Sequence, residues 1–353
     1  MTPEDLRAAV AAGILSEAQA ASLSALSNER AGKRAALPHE DEPFEFFRGF
    51  SEIFISIGLV ILLVGASALL TVIGGFTLLT LVPLATAGIA WWWAGYFTLK
   101  RRMTLPSMVL ATAFGTGIAI FAFTVLARGN LDERMTAILG FIASALGMVA
   151  WYRRFRLPFS AFLVGAFALG AVYAVTASAE NLIGLVAGGD DFRSFFDLTE
   201  SPAFATATLL FGIVAFLTGM WFDTRDPHRL GRHAATAFWC HLLAAPALVN
   251  TVAVTLMNGG GMGFLAIALV LITLLALVID RRSFLTAAIV YIALVIGWVM
   301  GGDGGTSWIF VLLILGGFIT AIGTWWVQLR AKVMDLLPNF PGKSRLPPYG
   351  STE

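Results

Sequence analysis

Residues 53–98 read IFISIGLVILLVGASALLTVIGGFTLLTLVPLATAGIAWWWAGYFT, 46 positions without a single Asp, Glu, Lys or Arg. As one helix this run would be about 70 Å long, over twice the hydrocarbon thickness of a bilayer. It therefore folds back, and Gly74-Gly75 is the natural turn. The same reasoning splits residues 234–279 at Asn258-Gly259-Gly260-Gly261. The other uncharged runs each fit one helix. The result is an all-α polytopic transmembrane bundle of about ten spans over 44–328: 44–73, 76–98, 106–126, 136–152, 158–178, 202–222, 234–257, 262–279, 284–300 and 307–328. Residues 1–28 precede it as a small helical hairpin and 29–43 as a charged linker; a proline-rich tail, 329–353, follows.

The flanks of these runs give direction. Of the 23 Lys and Arg residues, all but Arg128, Arg134 and Arg193 fall in every second gap. The remaining gaps carry eight acids: Asp132, Glu133, Glu180, Asp190, Asp191, Asp197, Glu200 and Asp303. Short cytoplasmic loops retain Lys and Arg, so the basic gaps and both termini are expected on the cytoplasmic side of a bacterial inner membrane. Hydrophobic residues make up 58% and charged residues 13% of the chain, too few charges to cover a soluble surface of this size. The charge division reports orientation and gives no reason to expect nucleic-acid binding. The bilayer is the expected partner, and nothing in the sequence sets an oligomeric state. Cys240 is the lone cysteine, so no intramolecular disulfide forms. Met1-Thr2-Pro3-Glu4-Asp5 lacks the basic and apolar regions of an export signal, so the first 50 residues are expected to stay attached and cytoplasmic.

Two cytoplasmic connections resemble each other: Tyr96 through Lys100-Arg101-Arg102 to Pro106, and Tyr152-Arg153-Arg154-Phe155-Arg156-Leu157-Pro158. Each proline suits a helix start. Tandem two-helix hairpins are one explanation, and the positive-inside rule acting alone is the other. At the N-terminus, Thr2 and Pro3 open a helix, Gly13 stops it, and Ser16-Glu17-Ala18-Gln19 is a capping box for a second. Alanine dominates both, so the apolar face is thin and calls for a docking partner. Glu45, Arg48 and Glu52 interleave with Phe44, Phe46, Phe47, Phe50 and Phe54, an interfacial helix with snorkelling charges leading into the first span. Trp151, Trp221, Trp325 and Trp326 lie near basic loops, and Trp298 and Trp308 near the outer ends, as interfacial aromatics would.

The stretch Ala12-Gly13-Ile14-Leu15-Ser16-Glu17-Ala18-Gln19 and the end running from Leu315-Gly316-Gly317 through Trp325-Trp326 to Leu329-Arg330 resemble uncharacterised bacterial inner-membrane families. Those families pair an N-terminal helical hairpin with eight to ten spans. The resemblance implies a location and no site residues.

Catalytic signatures are missing. There is no His-Glu-x-x-His helix and no Gly-x-Ser-x-Gly elbow, and no cofactor motif is legible. Away from their ends the ten spans contain no Asp, Glu, Lys or Arg, whereas ion-coupled carriers usually keep such a group at depth. His241 is the ionisable exception; no second His or acid lies in reach along its own helix, so it reads as a hydrogen-bonded packing residue. Asn250 lies nine residues on, about half a rotation away on an ideal helix, unless Pro246 bends it. Trp91, Trp92 and Trp93 read as packing between helices or, with Trp239, His241 and Asn250, as the lining of a cavity for a neutral or lipid-like solute. In the outer loop 179–201, Phe192, Phe195 and Phe196 read as one apolar face lying in the interface, or as a lid. The expected function is a non-enzymatic scaffold or regulatory membrane partner; the alternative is a transporter or flippase for a neutral or lipid-like solute, not ion-coupled through buried carboxylates.

Overall fold

A computed structural model of the chain describes residues 3–30, 50–176, 194–226, 232–259, 261–281, 284, 307–340 and 342–347. All regular structure among them is helical, and none is strand. Six helices are long and apolar enough to cross a bilayer: Phe50–Gly75, Thr104–Leu126, Glu133–Phe155, Phe159–Thr176, Pro202–Asp223 and Arg232–Leu256. The expected span 284–300 lies, apart from Phe284, outside the described residues, as do Trp298 and the expected interfacial segment 44–49.

The chain divides into two compact units, residues 44–215 and residues 1–43 with 216–353. In the first, α3 (Phe50–Leu78) leaves helical geometry at Gly75, where φ is 54°. A β-carbon strains that left-handed backbone, which is why a glycine turns the uncharged run. The return helix α4 (Val82–Ala94) starts on Pro83 and widens into a π-helical turn, Gly95–Lys100. Three antiparallel neighbours follow: α5 (Thr104–Leu126), α6 (Glu133–Phe155) and α7 (Phe159–Thr176). They approach closely because small residues face large ones: a β-carbon on Gly117 would lie 2.6 Å from the Pro83 carbonyl, and one on Gly170 2.6 Å from the Phe141 ring.

The core of this unit gathers Leu63, Ala87, Leu110, Phe114, Met148, Trp151 and Phe155. Trp151, fully buried, is its centre; Trp91, Phe114 and Phe155 pack on it with ring centroids 5.6, 4.9 and 4.4 Å away.

Charges at the edges of this unit act on helix ends. Glu52 is 5% exposed, and its Oε2 accepts from the Thr104 and Leu105 N–H groups at 3.2 and 3.1 Å. It caps α5 instead of snorkelling, because a carboxylate gains more from orphan N–H groups at a positive helix end than from a crowded interface. Glu52→Ala is expected to destabilise the protein by about 1–2 kcal/mol, with Glu52→Gln recovering part of that, read as thermal unfolding in detergent. Equal midpoints for wild type and Glu52→Ala would remove the capping role. Arg134, one of the three basic residues that break the charge alternation, has a similar use. Its guanidinium donates to the Ala174 carbonyl at 3.1 Å and to the Val175 carbonyl, closing the end of α7.

In the second unit, α1 (Pro3–Ala11) and α2 (Glu17–Arg30) are joined through Gly13 at φ 70°. Ser16 and Gln19 exchange bonds, Gln19 N–H to Ser16 Oγ at 3.2 Å and Ser16 N–H to Gln19 Oε1 at 2.9 Å. Leu6 and Ala20 are buried while Ile14 and Leu26 are exposed. Helix α8 (Pro202–Asp223) bridges the division, and α9 (Arg232–Gly259) and α10 (Gly261–Ile279) follow. The last uncharged run is not one helix to residue 328. Helix α11 (Ser307–Thr324) stops, Trp325 adopts φ −106° and ψ 23°, and α12 (Trp326–Leu336) begins anew. Beyond it Gly342 turns at φ 94°, residues Lys343–Arg345 form a 3-10 turn, and Leu346 and Pro347 are buried. Part of the expected tail is thus folded.

Candidate functional site

Asp223 ends α8, His241 lies in the third turn of α9, and Arg281 follows the left-handed residue Asp280 (φ 55°) that terminates α10. These three side chains meet. His241 Nε2 lies 2.9 Å from Asp223 Oδ2, and Arg281 Nε donates to the same oxygen at 3.1 Å. Arg281 Nη2 donates to Asp223 Oδ1, making the pair two-pronged, and to the Ala234 carbonyl at 3.0 Å. His241 is 0%, Arg281 1% and Asp223 5% exposed. Phe216 and Phe284 wall the imidazole, with ring centroids 5.4 and 5.9 Å away.

The cluster is charge-balanced when His241 is neutral. Protonating the imidazole adds a positive charge that competes with Arg281 for one carboxylate. The Asp–His contact can hold a proton between Oδ2 and Nε2, and the arginine opposes its arrival. Gly219 makes room for this, since a β-carbon there would lie 2.8 Å from the His241 ring. Gly219→Ala is therefore expected to displace the imidazole at about 1–3 kcal/mol, read as a lowered unfolding midpoint and a changed His241 ring signal by NMR. An unchanged ring signal would contradict that packing.

A second buried group adjoins the first through the peptide bond between Asp280 and Arg281. Trp326 Nε1 donates to Asp280 Oδ1 at 2.7 Å, and Arg330 Nε lies 3.7 Å from that oxygen. Arg330 also donates to the carbonyls of Leu277 at 3.2 Å and Pro347 at 2.6 Å. At the outer edge, Lys343 Nζ donates to the Met334 and Leu337 carbonyls at 2.7 and 2.8 Å. Arg330 is 1% exposed, so Arg281 and Arg330, counted in the sequence as cytoplasmic-loop charges, are buried partners.

Of the residues singled out in the sequence, His241 is the one that belongs to this cluster. Asn250, half-buried, lies on a different side of α9, and Trp239 is buried beside Phe238. The tryptophan triplet does not present one face: Trp91 packs in the core on Phe114, Trp151 and Phe155, Trp93 packs against that core, and Trp92 is 76% exposed. Consecutive helix positions diverge by about 100°, so three in a row cannot line one wall. Phe195 and Phe196 are buried on Phe204, which stacks on Tyr173 at 4.4 Å; Phe192 lies outside the described residues. Trp151 and Trp326 are buried, not interfacial, whereas Trp221 and Trp325 are about half exposed and Arg225 sits 3.6 Å over the Trp221 ring.

Asp223, Arg281, Asp280 and Arg330 escape a search along single helices because each pair spans at least 46 residues of chain. One signal does point to them. Asp223 and Asp280 stand at helix C-terminal ends, where the dipole disfavours a carboxylate, so each needs a cation or donor from elsewhere.

Six helices long and apolar enough to cross a bilayer suggest a multi-pass α-helical membrane protein, and its interior holds a hydrogen-bonded charge cluster where helix ends converge. No family model matches the chain, and neither a curated protein nor a solved structure does.

Proposed function

We propose that the chain is an integral protein of the bacterial cytoplasmic membrane, crossing it about ten times with both termini inside, and acting without catalysis as a scaffold or regulatory partner. The observation that carries this is where the buried charges are used. Asp223 faces His241 and Arg281, Asp280 faces Trp326 and Arg330, and Glu52 faces a helix end. Each joins helices to one another, which suits a rigid platform. The alternation of basic and acidic gaps supports the sidedness. The N-terminal helices, with Ile14 and Leu26 exposed, are the surface for a protein partner. Photo-crosslinkers at Ile14 and Leu26 in intact cells should capture one specific protein, and loss of residues 1–40 should abolish both capture and phenotype. Failure of both would sink the reading.

A second reading is a transporter for a neutral or lipid-like solute; the buried Asp223–His241 pair suits proton linkage and so departs from the expectation of no coupling through buried carboxylates. Proteoliposomes separate the two: a transporter dissipates an imposed pH gradient, and Asp223→Asn stops it.

A further inference from the structure

We propose that residues 342–347 form a strap whose docking on α12 is governed by the charge state of the Asp223–His241–Arg281 cluster, so that protonating His241 releases the strap. This deepens the regulatory reading and rests on it. The connection is continuous. His241 and Arg281 share Asp223; Arg281 is bonded in sequence to Asp280; Asp280 accepts from Trp326 and lies beside Arg330; and Arg330 donates to the strap at Pro347. Lys343 clasps the end of α12, and Leu346 is 8% exposed.

Asp280 is the pivot. Its left-handed backbone, φ 55°, sends the Asp280 and Arg281 side chains to different partners, so a shift of one moves the other. A carboxylate-bearing residue in that conformation is held there by its surroundings, here by the contacts of Trp326, Arg330 and Arg281.

Among the described residues, three elements bring groups to His241. Helix α8 offers Asp223, with Phe216 and Gly219 otherwise apolar; the segment after α10 offers Arg281 and Phe284; its own helix carries the adjacent buried Cys240. Asp226 is turned to the Ala234 N–H and His233 stacks on Phe222. A proton on His241 is shared with a carboxylate already bound by Arg281. It draws Asp223 toward the imidazole and loosens Arg281, which relaxes Asp280, Arg330 and the strap in turn. Undocking frees Leu346-Pro347, the first half of the proline-rich stretch ending at Tyr349.

The test uses the full chain in detergent micelles and trypsin, reading cleavage after Lys343 and Arg345 relative to cleavage after the exposed Arg101 and Arg102. That ratio cancels the protease's own pH dependence. Between one pH above and one below the His241 transition followed by NMR, the ratio should rise about tenfold as the pH falls, within the range usual for coupled sites. His241→Gln should abolish the pH response, and Asp223→Asn should keep the ratio high at both pH values, as Arg330→Ala does by removing the dock directly. Coupling is reciprocal, so truncation after Phe340, which leaves every α-helical residue in place, should change the proton affinity of His241 by the same factor, read by histidine NMR. A flat wild-type ratio, a retained response in His241→Gln, or a truncation that leaves the imidazole unmoved would overturn the proposal. Partner capture at Ile14 alongside a flat ratio sinks the strap alone; a normal pH response without capture sinks the scaffold reading alone.

Discussion

Arg281→Leu is expected to destabilise the protein by about 3–5 kcal/mol, because it leaves the Asp223 carboxylate buried with its arginine removed. The penalty follows from asymmetry. A pair of opposite charges in a low-dielectric interior balances large desolvation terms, while one charge left alone carries its own term uncompensated. Replacing both members, as Asp223→Leu with Arg281→Leu, should recover most of the loss, since buried pairs exchanged for apolar side chains are often neutral. Arg281 holds Asp223 through two nitrogens and also the Ala234 carbonyl, so Arg281→Lys should restore little. Thermal unfolding in one detergent, compared across the two single variants and the double, gives the coupling directly. If the double variant is as unstable as the sum of the singles, the residues do not act as a pair.

Trp151→Ala is the other large loss, about 3–5 kcal/mol, and concerns the opposite unit. The indole is fully buried, and three aromatic rings lie within 5.6 Å of it, centroid to centroid. Removing it opens a void that α4, α5 and α6 cannot close without sliding, and dispersion contacts on all sides are lost. Trp151→Phe should be far milder, since the indole N–H meets no protein acceptor among the described residues and most ring contacts survive. Trp92→Ala provides the contrast: its side chain is 76% exposed, so the unfolding midpoint should barely move. Similar losses at Trp92 and Trp151 would mean that the triplet, not the Trp151 core, carries the packing.

Much of the fold was legible because lipid makes sequence speak plainly. A run without charge must be a helix, since every backbone N–H and C=O in hydrocarbon needs a partner within its own segment. Gly75 breaks the first long run at the expected turn, and the Ser16–Gln19 box sits where its spacing puts it. Less legible were the ends of helices. Trp325 halts a run that hydropathy alone carries to residue 328, and Arg330 draws the tail back onto α12. The return of the tail rests on a bond from the Arg330 guanidinium to a backbone carbonyl, which a hydropathy average does not register.

The site divides in the same way. The sequence by itself singled out His241 as the odd ionisable group in an apolar span, and the long charge-free runs determined an all-helical chain with helices apolar enough to cross a membrane. Only the tertiary structure decided what His241 faces. Asp223 and Arg281 look like ordinary boundary charges in sequence, one acid at a helix end and one base in a loop. Their burial appears when three helix ends converge, because buried charge is stable only beside its opposite and that partner comes from another helix.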